Sequence, residues 1–296
     1  MESASRGARL PLLLAVTASA LLAAASDPAP AGVPGEDAVP RDDLSAEEIY
    51  SRVLANRFDA FVEEILLASR GAKGAAQKVG LRLWWRYYPE GHEAREKDVV
   101  AKVLARYFEP RDLRKNGYLV INRAVGAHDQ FVYLPSRRKV RRVNMSTQDI
   151  AGTDFALEDI IPHEMDDATY ERVDDAAEQG TLCWVIEATP KPEIDSQYSR
   201  FRLYVEREHY VPIKTRYWDH QGVEVKELVA PLDGIEEIDG VWLAMRRTAR
   251  NLVELTETEL HIARIVPVPD LAESTFSQRR LTAKRSPPVP WDESGD

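Results

Sequence analysis

In the stretch YSRFRLYVE, residues 198–206, the apolar side chains of Phe201, Leu203 and Val205 alternate with Arg200, Arg202 and Glu206. A period of two sends successive side chains to opposite sides, so this is the pattern of a β-strand with one face in a core and the other in water. Similar segments follow one another through the second half of the chain: TLCWVIEATP, YVPIKTRYWDHQG, VEVKELVA, IEEIDGVWLAMRRTAR and ETELHIARIV. Short breaks at Glu208-His209, His220-Gln221-Gly222 and Asp239-Gly240 separate neighbours. Connections this short join antiparallel strands, and Asp-Gly is the clearest hairpin turn among them.

The first half reads the same way. QKVGLRLWWRYYPEG predicts a strand with Leu81, Leu83, Trp85 and Tyr87 on one face and Arg82, Trp84, Arg86 and Tyr88 on the other. FVEEILLASR is its hairpin partner across a GAKGA turn, although its periodicity also fits a helix. DVVAKVLARYFEP and NGYLVINRA are further strands, and DQFVYLPSRRKVRRV is a hairpin turning at Pro135-Ser136-Arg137-Arg138. One helix precedes them: Ser45 and Glu48 have capping-box spacing, and AEEIYSRVLANRF sets Ile49, Val53 and Phe58 near one face. The expected fold class is mainly β (α+β), a single antiparallel sheet of roughly ten strands with a few helices; a sheet that large curls or closes instead of staying flat. No repeat appears with the period of roughly 20–50 residues that marks a propeller or solenoid.

The ends are different in character. Arg6 and Arg9 precede an apolar stretch from Leu10 to Ala25, with Ala23 and Ala25 forming an A-x-A site, so residues 1–25 read as a cleaved signal peptide. The alternative is a retained anchor, for which the stretch is short. Residues 26–44 are rich in Pro, Gly, Ala and acid and read as a flexible linker. The single domain then spans 45–284, and residues 285–296, Pro-rich and acidic, read as a disordered tail. The net charge of −10 and the lack of a long basic run argue against a nucleic-acid partner. A lone Cys183 in TLCWVIEA cannot form an internal disulfide and reads as a small buried hydrophobe.

No P-loop, GxGxxG, GxSxG or HExxH is present, so neither a cofactor nor a metal is expected. His163-Glu164-Met165-Asp166-Asp167 has ligand-type residues but reads as a solvated acidic loop. In MSTQDIAGTDFALEDI, residues 145–160, Asp149, Asp154 and Asp159 invite comparison with a catalytic carboxylate pair. Their spacing of five fans them around a helix and alternates them along a strand, so no regular element converges them. The expected reading is a turn at Gly152-Thr153, with Thr153 or Asp154 capping a short helix through Asp159.

Taken in order, RYFEPRDLRKNGYLVINR, QFVYLPSRRKVRRV, GTDFALEDI, the run from Cys183 to Gly222, TELHIARIVP and STFSQRRL resemble the outer-membrane lipoprotein-sorting proteins related to LolA, across about residues 45–282. The resemblance implies a half-barrel, an incomplete antiparallel barrel, with helices covering a concave face that holds acyl chains. It implies that Gly152, Thr153, Asp154, Phe155 and Asp159 are a structural motif linking the two halves of the sheet. The expected function is that of a non-enzymatic, monomeric periplasmic carrier of lipoprotein acyl chains or free lipid, in transient contact with membranes and with an inner-membrane transporter. Expected cavity residues are Leu83, Trp85, Tyr87, Phe131, Tyr133, Phe201, Leu203 and Val205. Two other readings stand beside it: an adaptor with a solid interior docked on such a transporter, and a lipid or glycan hydrolase using Asp154 and Asp159.

Overall fold

In the computed structural model, residues 44–70, 76–143 and 149–292 are described. The expected signal peptide, nearly all of the expected linker, the GAKGA turn and residues 144–148 lie outside them. No helix among the described residues is long and apolar enough to cross a membrane. The unit from Leu44 onward opens with helix α1, Ala46–Ala55, whose capping box is formed as expected: Ser45 Oγ accepts from Glu48 N, and Glu48 accepts from Ser45 N at 2.7 Å.

Six strands follow as a meander: β1 Ala60–Arg70, β2 Ala76–Tyr87, β3 Val99–Glu109, β4 Gly117–Arg123, β5 Asp129–Leu134 and β6 Lys139–Arg142. A one-turn helix, α2 Glu93–Glu96, lies between β2 and β3. FVEEILLASR is therefore strand, the arm whose periodicity left helix open. A second meander runs through β7 Ala168–Glu178, β8 Thr181–Pro190, β9 Arg200–Glu206, β10 Pro212–Trp218 and β11 Glu224–Val229. A detached hairpin, β12 Ile235–Ile238 and β13 Val241–Ala244, turns at Asp239 and Gly240, both at positive φ as the Asp-Gly pair predicts. The last strands are β14 Arg246–Asn251 and β15 Thr256–Pro267.

Thirteen of these strands form one antiparallel sheet in the order β6-β5-β4-β3-β2-β1-β15-β14-β11-β10-β9-β8-β7. The two meanders meet where β15 returns to pair with β1, from Phe61↔Pro267 to Arg70↔Glu257. Edge strands β6 and β7 do not pair, so the sheet is not closed. It has more strands than the roughly ten expected, partly because ATYERVDDAAE is strand β7: its charged residues occupy an edge, and Ala168 and Tyr170 face the core.

One face of the sheet holds a continuous core from Val120 on β4 through Leu83, Trp85, Ile65, Leu260 and Leu228 to Leu203, Ile186 and Tyr170, joined by Ile49 and Tyr50 of α1. On the other face the two halves differ. Across β8–β11 and β14 it carries ion pairs: Glu187 with Arg200 and Arg202, Lys214 with Glu178 and Glu227, and Arg250 with Glu227. Across β1–β4 its centre is apolar, with Val62, Trp84, Leu104 and Leu119 packed under Phe276, Leu281 and Val289, and ion pairs of Glu64 with Arg82 and of Glu273 with Arg86 and Lys102 flank it.

This overturns the disordered-tail expectation for residues 285–292. Trp84 Nε1 donates to Pro288 O at 3.1 Å, and Val289 is 2% exposed. Upstream, helix α4, Gln278–Leu281, is held by Arg106, whose guanidinium donates to the carbonyls of Arg280, Leu281 and Ala283. The physical reason is that Trp84 alternates away from Trp85 and needs its own apolar cover and an acceptor for its indole N–H.

Candidate functional site: a strap and two cavities

From β6 the chain must reach β7 at the opposite edge of the sheet, and the described part of the connection, residues 149–167, crosses the core face. We call this segment the strap. It contains the Gly-Thr-Asp-Phe motif and helix α3, Leu157–Ile160, which ends one residue later than expected and is capped differently. Neither Thr153 nor Asp154 caps it; Asp159 Oδ2 reaches back to accept from Ala156 N at 2.7 Å.

The two aspartates fasten the strap to different strands. Asp154 accepts from Thr256 Oγ1 at 2.5 Å and from Thr258 Oγ1 at 2.7 Å, and its own N–H donates to Thr258 Oγ1 at 3.0 Å, so it grips the central strand β15. Asp159 accepts from Tyr198 Oη at 2.7 Å and from Lys226 Nζ on β11 at 2.8 Å. Gly152, at φ +76°, turns the chain beneath Ala151, whose carbonyl accepts from Gln77 Nε2 of β2. Phe155 is fully buried in the core. Asp149, exposed, has its carboxyl pushed up by partial burial and by Asp159 and Asp154, with Lys226 opposing.

Further along, Tyr50 Oη of α1 donates to His163 O at 2.7 Å. Glu164 takes both Nη groups of Arg57, which lies 3.7 Å over the Tyr87 ring. Asp167 accepts from Glu164 N at 2.7 Å and faces His128 Nε2 at 3.6 Å. The HEMDD segment is thus not a solvated loop, since Glu164 and Asp167 are both buried. Their charge is tolerated because each carboxylate has donors.

The strap leaves two cavities on the core face. The first, about 360 Å³, lies between β4 and β5 and the strap, lined by Val120, Gln130, Leu157 and Ile161 among others. The second, about 250 Å³, lies between α1, β9–β11 and the β12–β13 hairpin, lined by Tyr50, Leu54, Leu228, Leu243 and Arg247 among others. Glu158, Pro162 and His163 border both, so the strap is the partition between them. A third hollow, about 520 Å³ and more polar, lies beside Asp149, Asp154 and Lys226.

Of the expected cavity residues, Tyr87, Phe201 and Leu203 line the second cavity. Leu83, Trp85 and Val205 belong to the same core but line none of the three hollows. Phe131 and Tyr133 face the other side of the sheet, against the Trp84 cluster. The register explains this: Phe131 pairs with Leu119, Leu119 with Leu104, and Leu104 with Trp84, which puts Phe131 in phase with Trp84 and not with Trp85.

Sequence reading missed Arg247 and Tyr217 at the second cavity. The signal for Arg247 is its phase, two residues from Met245 and from Ala249, both buried. Glu63, also on the core face, accepts from Trp85 Nε1 at 2.8 Å, and burial pushes its carboxyl up to about 7. Glu206, Glu208 and His209 form the one group of three metal-ligand side chains among the described residues, and Glu206 already accepts from the backbone N–H groups of Glu208 and His209.

Residues 100–283 match the model of a family described as "Uncharacterized protein". The chain belongs to that family. Its fold is that of the LolA-like sorting proteins. A putative outer membrane lipoprotein-sorting protein domain from Vibrio parahaemolyticus has 22% identity and a TM-score of 0.71, over 80% of this chain and 98% of that one. A DUF1329 family protein from Desulfovibrio piger has 21% identity and a TM-score of 0.70 over the same shares. A LolA superfamily protein from Nitrosomonas europaea has 17% identity and a TM-score of 0.65, over 79% of this chain and 98% of that one. A search of curated proteins gives no match.

Proposed function

We propose that this family member is a periplasmic carrier that takes acyl chains of lipoproteins or free lipid into the hollows beside the strap and shuttles them between envelope membranes. In this reading the open sheet is a curved half-barrel with α1 and the strap over its concave face, and residues 1–25 are a cleaved export signal. The observation that carries it is the pair of cavities separated only by the strap, on the core face of an unclosed sheet. The fold shared with the sorting-protein domain supports it. Burying apolar surface favours uptake by about 0.8 kcal/mol per methylene, so a long acyl chain would gain on the order of 10 kcal/mol if fully enclosed. That is comparable with its hold on a membrane, so release depends on a donor or acceptor such as an inner-membrane transporter, which the protein would meet transiently as a monomer.

The enzyme alternative has less support, because Asp154 and Asp159 are occupied as acceptors for structural donors. The test is native mass spectrometry of the protein purified from its envelope fraction, followed by organic extraction. A stoichiometric adduct of lipid mass is expected. A clean mass that stays clean after exposure to lipid vesicles would overturn the carrier reading in favour of the adaptor.

A further inference from the structure

Four charged side chains line the second cavity besides His163: Arg57, Glu158, Asp159 and Arg247. Three of them have hydrogen-bond or ion-pair partners. Arg57 pairs with Glu164, Asp159 with Lys226, and Glu158 accepts from Ser196 Oγ and Gln197 N and faces His163 Nε2 at 3.2 Å. Arg247 is different: it has no hydrogen bond and no ion pair among the described residues. Its electrostatic neighbours are Glu63 and Tyr217, and the carboxyl of Glu63 is engaged by Trp85 Nε1. Tyr217 lines the same cavity, with a hydroxyl that also has no partner among the described residues.

Arg247 is half-buried and lines the hollow with no hydrogen-bond acceptor among the described residues, and desolvation lowers its pKa from the ordinary arginine value against the pull of Glu63 and Tyr217. The walls near it are apolar: Phe201, Leu203, Leu228 and Leu243. An amphiphile with an apolar tail and a compact anionic head would match both features. An oxyanion can take two parallel N–H donors from one guanidinium, and a neutral head cannot repay their desolvation in the same way.

We propose that Arg247 is the head-group anchor of the second cavity, binding the carboxylate or phosphate of an anionic lipid, with the Tyr217 hydroxyl as a second donor. The inference rests on the carrier reading above and adds the charge class of the cargo.

The test compares palmitate, hexadecyl phosphate and hexadecanol, which share a tail and differ in head, binding to the full-length exported protein by displacement of a fluorescent lipid probe. The wild type should hold at least one of the two anions about ten-fold or more tighter than the alcohol. Palmitate alone assigns a carboxylate and hexadecyl phosphate alone assigns a phosphate; either supports the anchor. Arg247→Met should lose the preference, its affinity for the two anions falling to its affinity for hexadecanol, and Arg247→Lys should keep part of it. A thermal melt of each variant separates loss of binding from loss of fold, and if the Met variant does not fold, the Lys variant and the wild-type ranking decide. Equal binding of all three by the wild type, or an undiminished preference in Arg247→Met, would overturn the anchor and leave the carrier intact. No binding of any of the three would instead overturn the carrier reading itself.

Discussion

The carboxylate of Asp159 and the ammonium of Lys226 meet at 2.8 Å where the aspartate side chain is wholly buried and the lysine nearly so. The pair joins the strap to β11, and Tyr198 Oη and Ala156 N fill the remaining acceptor sites of the carboxylate. Removing one partner of a buried ion pair leaves an unpaired charge in low dielectric and costs about 3–5 kcal/mol. Lys226→Met should therefore lower stability by about that amount in urea unfolding, and Asp159→Ala by at least as much. A loss below about 1 kcal/mol for both would show that the strap does not depend on this bond.

The grip on the central strand is separate. Asp154→Ala frees the hydroxyls of Thr256 and Thr258 and orphans its own end of the strap, which should cost about 1–3 kcal/mol. Hydrogen exchange should show faster exchange in the strap near residues 150–156, with β8 and β9 unchanged. Uniform acceleration over the whole sheet would contradict a local role.

Glu63 gives a pH signature. Its carboxyl is raised from 4.5 to about 7 in the folded protein, first by burial, so the native state binds the proton more tightly than the unfolded chain. The stability this adds is fully present below about pH 4.5 and is lost as pH rises to about 7. The change is on the order of 3 kcal/mol. Glu63→Gln keeps an oxygen for Trp85 Nε1 but does not titrate, so its unfolding free energy should lack this fall and exceed that of the wild type at pH 8. Parallel pH profiles for the two proteins would refute the assignment.

Filling the second cavity tests the carrier directly. Leu243 is partly buried and lines it, so Leu243→Trp adds bulk there with a cost of about 1–3 kcal/mol or less to the fold. Uptake of a fluorescent fatty acid should fall several-fold while the melting temperature moves little. Unchanged uptake would locate binding elsewhere.

The C-terminal cover is testable by truncation. Deleting residues 285–296 removes Val289 and the carbonyl acceptor of Trp84, exposing an indole that is now wholly buried. Losing the burial of one such aliphatic side chain costs about 1.5–3 kcal/mol, and tryptophan emission should shift to longer wavelength. Unaltered emission and stability would mean that the tail does not cover this face.

What the sequence by itself determined is most of the strand content, β7 excepted, and the local turns. Alternation at Phe201, Leu203 and Val205, the Asp239-Gly240 pair and the Ser45-Glu48 box each depend on neighbours within a few residues, and each appears as read. That a spacing of five cannot converge Asp149, Asp154 and Asp159 on one regular element was also legible, but which donors Asp154 and Asp159 accept from was not. Only the tertiary structure decided the rest. Period-two alternation says that Trp84 and Trp85 face opposite ways, yet the phase of Phe131 relative to them is carried through three cross-strand pairings that no local pattern encodes. The order of the sheet, with β15 beside β1, depends on a pairing nearly two hundred residues apart in the chain, and it is this that sends the strap across the core face to divide one space into two. Arg247 is one arginine among many in the sequence; its distinction is that it lines a cavity with no hydrogen-bond acceptor for it among the described residues, a property of the surroundings that folding assembles.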